Sequence, residues 1–539
     1  SVQLLEIAKR FQKEHIPCDA LHLGNNAFEP GKFFSWNLEH YSNAGTINKE
    51  IDKIGIKIVT QIEARVPSND NYDLYAEGKS RNVFCLDNTG KLFNVKLSGK
   101  KFSFPDFSSE NGSQWWADRH NILFANHVSG IANINNEPPE IVISHGSLSS
   151  STILNSGKSH IKYINQYGNL VCKATVTSFK KFQPEKRPFI LTNTSYCGIQ
   201  KDATVLAGDS LKNPDDLRDN LQRILNLGLS GISLCGMDPE KTAKNRSFPF
   251  ANVSSDYKFF IRWMEIAGLM PFFGVDSDAL IGNCEPWKLP ARFQDLYKTI
   301  VNRRYALLPY YYALFKESKD TGIPLIRSLL FDYPKLKSEE HPDIFFIGSS
   351  ILVAPEFSSK KSVRSVRFPP GEWFDYYSRE MYIGNKTYEI SALPGYIPLF
   401  IKGGTIMPIC KPEQTASKTL FSEITLELFP AKEMSGVLYL DDGISTIEGE
   451  GNFFMCLFHG NNAKKDLIEL SIKECIIKYS PPYKTLKLEL PENFKYMQYS
   501  TKRISGQRKV IESNGRNFAI SSFNIPLDTN LFPITFSAA

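Results

Sequence analysis

Two patterns of hydrophobic and polar residues divide the chain near residue 330. Before that point, apolar residues at helical spacing, such as Leu4, Leu5, Ala8 and Phe11, alternate with short apolar runs. After it, apolar and polar residues alternate singly between turns rich in glycine and proline, as at 485–490. Alternating helices and strands are typical of a parallel β/α fold, whereas single alternation is typical of antiparallel sheets.

The first pattern predicts a parallel barrel at residues 1–330. We expect its strands at the short apolar runs 20–23, 56–60, 130–133, 188–192, 203–207, 231–235 and 269–273. A closed (β/α)8 barrel contains one strand more than these runs provide. The second pattern predicts two antiparallel β-domains, at 331–415 and 416–539. The predicted fold class is therefore α/β, a TIM-type barrel followed by two β-domains.

The composition excludes several classes of partner. The chain has 539 residues, of which 42% are hydrophobic and 22% are charged, and its net charge is +6. The basic residues are scattered and form no concentrated patch that would follow a phosphate backbone, so we expect no nucleic-acid partner. No apolar run reaches the about 20 residues of a membrane helix and no signal peptide is recognised, so we expect no membrane association.

The cysteines predict neither a metal site nor a disulfide framework. There are nine, an odd number, and they are widely spread without a Cys-x-x-Cys motif. We therefore expect no metal and no cofactor. Unpaired cysteines and the lack of a recognisable signal peptide favour a reducing, cytoplasmic location.

Several short motifs follow one another in a fixed order over most of the chain. The most informative is Gly130–Pro138, an apolar strand that leads into Asn136, Glu137 and Pro138. The others include 16–23, 104–107 with Trp115 and Trp116, 188–192, 198–200, 208–209, 228–238, 262–263, 271–273, 285–287, 352–355, 397–401 and 440–443. In this order they resemble glycoside hydrolase family 31, the retaining α-glucosidases and α-xylosidases. The resemblance implies a TIM barrel and two C-terminal β-domains, but a fold alone does not establish a chemistry.

The resemblance also implies that part of the family's architecture lies outside this chain. The family's N-terminal β-sandwich and its first barrel strand precede the motif that opens here near Cys18. A barrel that lacks one strand has an open edge, which exposes backbone groups and apolar surface. We therefore expect a second chain or an upstream segment to complete the barrel.

The resemblance assigns two catalytic positions. The family's nucleophile falls on Ile134, and its acid/base falls on Asp209. Retaining glycosidases need two carboxylates about 5 to 5.5 Å apart, one of which attacks the anomeric carbon. Isoleucine cannot attack, so the nucleophile is missing. Asp209 also has a structural interpretation, as the N-cap of a helix expected at about 215–227.

The resemblance places six further residues at substrate-binding positions, namely Asn26, Asn193, Asp238, Arg262, Trp263 and Asp276. The first two replace a carboxylate and an arginine of the family, and Asp276 replaces a histidine. Hydrogen bonds from neutral groups are about half as strong as charge-assisted ones, so ordinary sugar binding is weakened. Arg262 also has a structural interpretation, as the partner of a buried carboxylate such as Asp238.

Two classes of function remain open. The leading one is a degenerate family 31 protein, catalytically inactive or very weak, with a carbohydrate-binding, partner or structural role. The alternative is an active glycoside hydrolase or transglycosidase that acts on α-glucoside-like carbohydrates through a rearranged site. In that site Asp276 would pair with Asp209 as a new two-carboxylate catalyst.

Overall fold

The computed structural model describes most of the chain in two compact units. The described residues are 2–97, 99–136, 152–153, 163, 165–194, 196–208, 211, 213–238, 253–276, 285–337, 343–417, 423–446, 452–464, 467–481, 485–499, 502–513, 516–526 and 529–537. Unit 1 comprises Ser1–Ala207 and Ile444–Thr446, and unit 2 comprises Gly208–Gly443 and Ile447–Ala539. Among the described residues, no helix combines the length and apolar character that a membrane span requires.

Unit 1 alternates helices and strands. Its helices are α1 Val2–Lys13, α2 Leu38–Tyr41, α3 Ala44–Lys53, α4 Asp73–Ser80, α5 Glu110–Arg119, α6 Asn121–Ala125 and α7 Tyr167–Phe182. Its strands are β1 Ala20–Leu23, β2 Phe28–Glu29, β3 Lys32–Trp36, β4 Lys57–Glu63, β5 Val66–Pro67, β6 Leu86–Asp87, β7 Asn94–Leu97, β8 Lys100–Ser103, β9 Gly130–Ile134, β10 Thr152–Ile153, β11 Ile190–Thr192 and β12 Thr204–Ala207.

A parallel sheet forms the centre of unit 1. Its described strands lie in the order β1-β4-β9-β11-β12, and all of their pairings are parallel. Every residue of β9 is buried, as expected for a parallel strand that is covered on both faces. Each of these five strands overlaps a run predicted from the apolar pattern.

Aromatic side chains fill the space between this sheet and its helices. Trp115 and Trp116 of α5 are almost completely buried, and the ring of Trp116 contacts Phe34 and Phe107 edge-on. Ser109 caps the N-terminus of α5, and its hydroxyl accepts a hydrogen bond from the backbone of Gly112 at 3.0 Å. This cap satisfies a backbone donor that the first turn leaves without an intrahelical acceptor.

Unit 2 combines long helices with antiparallel sheets. Its helices are α8 Pro214–Leu229, α9 Val253–Ala267, α10 Ala291–Ala306, α11 Leu308–Thr321 and α12 Leu329–Asp332. Its strands are β13 Cys235–Met237, β14 Ile326–Ser328, β15 Phe345–Ile347, β16 Ile351–Val353, β17 Val363–Arg367, β18 Glu372–Asp375, β19 Met381–Ile383, β20 Thr387–Ser391, β21 Leu399–Lys402, β22 Ile406–Cys410, β23 Ile424–Leu428, β24 Glu433–Leu440, β25 Phe454–Lys464, β26 Leu467–Ile477, β27 Thr485–Pro491, β28 Tyr496–Tyr499, β29 Lys502–Ser505, β30 Gln507–Ser513, β31 Arg516–Pro526 and β32 Ile534–Ser537.

Two groups of sheets follow the helices of unit 2. In the first, β14-β15-β16-β21-β18-β19 form an antiparallel sheet accompanied by the β17-β20 pair, and their core contains Phe346, Trp373 and Phe400. In the second, the sheets β22-β23-β27-β31-β30 and β24-β25-β26-β32-β28-β29 share one apolar core. The pairings are antiparallel apart from β23 with β27. The bounds 1–330, 331–415 and 416–539 stay a prediction.

The expected strand at 269–273 is wrong. These residues form turns after α9, although Leu269 and Met270 are completely buried. The guanidinium of Arg304 donates to the carbonyls of Gly268 and Met270 and to that of Pro271 at 2.8 Å. A side chain therefore satisfies the backbone acceptors that a neighbouring strand would otherwise bind, and apolar content alone does not reveal this.

The strand expected at 231–235 is also displaced, because β13 begins only at Cys235. Gly236, the next residue, lies against the segment that follows α9. A Cβ atom at Gly236 would lie 2.2 Å from the carbonyl oxygen of Phe272, so only glycine permits this close approach.

Two of the described cysteines form a pair that the sequence did not predict. Cys456 in β25 and Cys475 in β26 lie opposite each other in the antiparallel register and form a disulfide. The expectation that all cysteines are unpaired is therefore wrong for these two. Strand register placed them together, and spacing along the chain gives no direct sign of register.

Candidate functional site

The carboxyl ends of the parallel strands in unit 1 hold three of the residues that the motifs identified, namely Asn26, Ile134 and Asn193. Ile134 is the last residue of β9 and is 9% exposed. It pairs in register with Glu63, the last residue of β4. On its other side, Asn133 pairs with Thr192, so Asn193 follows at the level of Ile134. Adjacent parallel strands lie about 4.8 Å apart, so Glu63, Ile134 and Asn193 form one row across the sheet.

Buried amide and hydroxyl side chains next to this row form a hydrogen-bonded network. Asn133 donates from Nδ2 to Thr175 Oγ1 at 3.0 Å, and Asn136 donates from Nδ2 to Thr192 Oγ1 at 3.0 Å. Thr194 in turn donates to Asn136 Oδ1 at 3.0 Å. The side chains are buried, and a satisfied buried network holds one arrangement. The end of β9 is therefore fixed by its neighbours β11 and α7.

The thiol of Cys172 lies in the same network and is inert. It accepts from the Nδ2 atoms of Asn133 and Asn136, and it is fully buried. Burial raises the pKa of the Cys172 thiol to about 12, because an apolar environment disfavours the thiolate. This cysteine is not a nucleophile at neutral pH.

Glu63 is a carboxylate at this strand edge that the sequence reasoning missed. It is 2% exposed, forms an ion pair with Arg65, and its Oε1 accepts a hydrogen bond from Asn135 Nδ2 at 3.0 Å. Arg65 lies over the ring of Phe102, 5.1 Å from its centroid. The sequence held a weak signal for Glu63, which is an acidic residue three positions beyond the predicted strand 56–60.

Asn135 adopts an uncommon backbone conformation beside Ile134. Its φ is +47°, in the left-handed region, and its side chain is exposed. Asparagine is among the few residues other than glycine that enter this region at modest cost.

The other predicted positions in unit 1 are Asn26 and Asn193. Asn26 lies in a short 3₁₀ turn just beyond β1 and is exposed. Asn193 follows β11 and is half-buried, and its Oδ1 atom is buried without a hydrogen-bond donor among the described residues. A buried acceptor of this kind costs about 1 to 3 kcal/mol unless water or a ligand donates to it.

In unit 2, Asp238 follows β13 directly and is 8% exposed, and Asp276 is half-buried beyond the turns after α9. Asp209 and Glu137 lie outside the described residues. The N-cap interpretation of Asp209 is wrong, because Asn213 caps the helix, here α8. The Asn213 side chain accepts from the backbone of Asp215 at 2.8 Å and of Asp216 at 3.1 Å.

Arg262 lies in the completely buried face of α9. Its carboxylate partner is Glu265, at 3.1 Å between Nη1 and Oε2, rather than the Asp238 considered from the sequence. Its Nη2 donates to the carbonyl of Lys361 at 2.9 Å and to that of Ala392. Burial raises the pKa of Glu265 above its ordinary value, although Arg262 acts in the opposite direction. These contacts describe a structural role inside unit 2.

Trp263 is also completely buried, with its ring stacked on Phe260. Its assignment to substrate binding, like that of the other candidate residues, stays a prediction. Within the described residues, no group of His, Cys, Asp or Glu side chains is placed to hold a metal ion.

Two family models match the chain. The TIM-barrel domain of glycosyl hydrolases family 31 matches residues 1–314, and the C-terminal domain of that family matches residues 322–407. The chain belongs to glycosyl hydrolase family 31. The resemblance found in the ordered motifs is thereby confirmed, and so is the predicted fold of a TIM barrel followed by antiparallel β-domains.

Relatives of this family 31 chain include enzymes with α-glucosidase names. Alpha-glucosidase 2 of Bacillus thermoamyloliquefaciens is 28% identical over 458 residues, which cover 84% of this chain and 57% of that protein. The chain thus spans little more than half the length of this relative.

Solved structures show the same fold. A family 31 dextranase of Flavobacterium johnsoniae, complexed with glucose, has a TM-score of 0.88 and 23% identity, covering 99% of this chain and 68% of that one. The endoplasmic reticulum glucosidase II heterodimer, a catalytic subunit with the binding domain of its regulatory subunit, has a TM-score of 0.83 and 19% identity, covering 99% and 60%.

Proposed function

We propose that this family 31 protein binds neutral carbohydrate without ordinary retaining α-glucosidase activity. The observation that carries the proposal is Ile134, an apolar residue at the end of β9 where the family motif has its nucleophile. Covalent catalysis divides one difficult displacement into two easier ones, and this route requires an attacking group. A hydrocarbon side chain provides none.

The surrounding residues support the same conclusion. Asn26 and Asn193 are neutral at positions where the family motifs are charged, and both follow strand ends of unit 1. Amides still donate and accept hydrogen bonds with sugar hydroxyls, but these bonds are weaker than charge-assisted ones. Loss of the reacting group, together with amides in place of charged groups, favours weak binding over turnover.

The test is an assay for hydrolysis of 4-nitrophenyl α-glucoside together with trapping by a fluorinated α-glucoside. We expect no measurable hydrolysis, and intact-protein mass spectrometry should detect no covalent sugar. A trapped glycosyl ester would contradict the proposal. If the protein hydrolyses the substrate and Asp276→Asn abolishes this, the rearranged two-carboxylate site is the correct alternative.

We also propose that a β-strand from another segment or another chain pairs with β1. Among the described residues, β1 pairs on one side only, with β4. The apolar residues Leu4, Leu5 and Phe11 of α1 are only half-buried. In a right-handed βαβ unit, α1 would pack on a strand paired with β1, and that strand would bury these residues further. Glucosidase II, a solved structure with the same fold, is a complex of a catalytic subunit with the binding domain of a regulatory subunit.

Hydrogen exchange tests this second proposal. In the isolated chain, the amides of β1 should exchange faster than those of β4, which is paired on both sides. Equal protection of the two strands would show that β1 has no open edge and would remove the reason for a partner strand there.

A further inference from the structure

Asn135 and Glu63 form a polar pair next to the position where the nucleophile is missing. Ile134 is nearly buried, so the side chain exposed at the end of β9 is that of the following residue, Asn135. Asn135 has a left-handed backbone conformation. Its Nδ2 donates a hydrogen bond to Oε1 of Glu63, on the neighbouring strand β4, at 3.0 Å.

Glu63 determines which way the amide of Asn135 faces. An ionised carboxylate only accepts hydrogen bonds, so the amide must present its Nδ2 to Glu63. The Oδ1 atom and the second Nδ2–H then remain on the exposed side chain, and among the described residues no other hydrogen bond engages it. Glu63 is itself held by Arg65, which packs on Phe102.

We propose that Asn135 is a ligand-contacting residue of this protein, oriented by Glu63, and that it hydrogen-bonds a hydroxyl of a neutral sugar. The inference rests on the carbohydrate-binding function proposed above and assigns it to a named pair. An amide that offers one acceptor and one donor suits a hydroxyl group, which also offers both.

The ion pair of Glu63 with Arg65 restricts the class of ligand. The two charges compensate each other, so the pair offers no net positive charge that would bind an anionic sugar. Glucuronate should therefore bind no more tightly than glucose, although the two rings have nearly the same shape.

NMR titration with glucose, galactose, mannose, xylose and glucuronate measures sugar binding. Asn135→Gly removes the amide but relieves the left-handed backbone, so the unfolding temperature should change little while affinity falls about ten-fold. The matched control is Asn385→Gly, an exposed asparagine with φ +61° in unit 2. This control should leave affinity unchanged.

Glu63→Gln separates positioning from simple ion pairing. Glutamine can donate to Asn135 Oδ1, so the orientation of the amide is no longer unique and affinity should fall several-fold. If Glu63 only pairs with Arg65, the variant will unfold at lower temperature with its affinity unchanged, and the positioning role is overturned. Failure of all four neutral sugars to bind, or an unchanged affinity in Asn135→Gly, overturns the ligand contact.

Turnover of 4-nitrophenyl α-glucoside by the same preparations distinguishes the two proposals. Hydrolysis by the unmodified protein contradicts the proposed lack of activity. The effects of Asn135→Gly and Glu63→Gln on affinity still decide the sugar contact, because they are measured as binding and not as rate.

Discussion

Ile134 and its neighbours show how single residues change the chemistry of a strand edge. In place of the family's charged pattern, unit 1 presents Ile134 between Glu63 and Asn193 at one level of the sheet. The carboxylate that does occur there belongs to β4, and Arg65 and Asn135 already engage it. The edge therefore offers hydrogen-bonding groups, and we expect that restoring one side chain will not restore catalysis.

The first prediction at this scale is that Ile134→Asp fails to give strong α-glucosidase activity. The new carboxylate would lie level with Glu63 on the adjacent strand, and two neighbouring carboxylates cannot both ionise easily. Hydrolysis of 4-nitrophenyl α-glucoside measures the outcome, with Ile134→Asn as the uncharged control. Turnover comparable with active family members would show that the nucleophile was the only missing group.

We also predict that His120 makes the stability of the protein depend on pH. Its ring is completely buried, and Nδ1 lies 3.0 Å from the carbonyl of Trp116. Burial lowers the pKa of His120 from 6.5 to about 4. As the pH falls, His120 therefore binds a proton in the unfolded chain before it does so in the folded protein. Its protonation leaves the free energy of unfolding unchanged above about pH 6.5 and lowers it progressively between pH 6.5 and pH 4.

Unfolding by denaturant at pH 7 and at pH 4.5 measures this effect of His120. The pKa shift corresponds to roughly 3 kcal/mol over the full window. His120→Phe should lose less stability between the two pH values than the unmodified protein. Equal losses in both proteins would show that His120 does not contribute to the pH dependence.

At the scale of elements, partner atoms decided which predicted strands formed. The run at 269–273 has the apolar content of a buried strand, yet Arg304 binds its carbonyls and it forms turns. In contrast, β9 and β11 formed where the apolar pattern placed them, because each has strands on both sides. Pattern predicts an element best where neighbouring strands, and not side chains, satisfy its backbone.

The prediction at the element scale concerns the β25–β26 hairpin. The disulfide between Cys456 and Cys475 closes a loop with a sequence separation of 19. Restricting an unfolded loop of this length contributes about 3 kcal/mol in the chain-entropy model. The double variant Cys456→Ser, Cys475→Ser should therefore unfold at lower denaturant concentration.

Reduction is the control for this hairpin. Dithiothreitol should destabilise the unmodified protein to a similar extent and should leave the double variant unaffected. An unfolding midpoint that is the same in all four samples would show that the cross-link does not stabilise the second group of sheets.

At the largest scale, buried charged residues of α9 connect this helix to the first group of sheets in unit 2. Arg262 and Glu265 of α9 are both essentially inaccessible, and Arg262 reaches backbone carbonyls near β17 and after β20. Glu265 accepts from the backbone of Gly395 in the same region. Removing one member of such a pair leaves an uncompensated buried charge.

We therefore predict that Arg262→Met destabilises the protein by about 3 to 5 kcal/mol in denaturant unfolding. The double variant with Glu265→Gln should cost less than the sum of the two single changes, because the residues are coupled. Unaltered stability with weakened glucose binding would instead support the substrate-binding assignment of Arg262.

The sequence alone determined the fold class and the places of strands such as β4 and β9, and it predicted that the nucleophile is missing at Ile134. Hydrophobic periodicity and ordered motifs are local properties, so both could be read along the chain. Only the tertiary structure decided three contacts, which are the hydrogen bond between Asn135 and Glu63, the ion pair between Arg262 and Glu265, and the Cys456–Cys475 disulfide. Each depends on which side chains strand register and helix packing bring together, and neighbouring residues along the chain do not encode that choice.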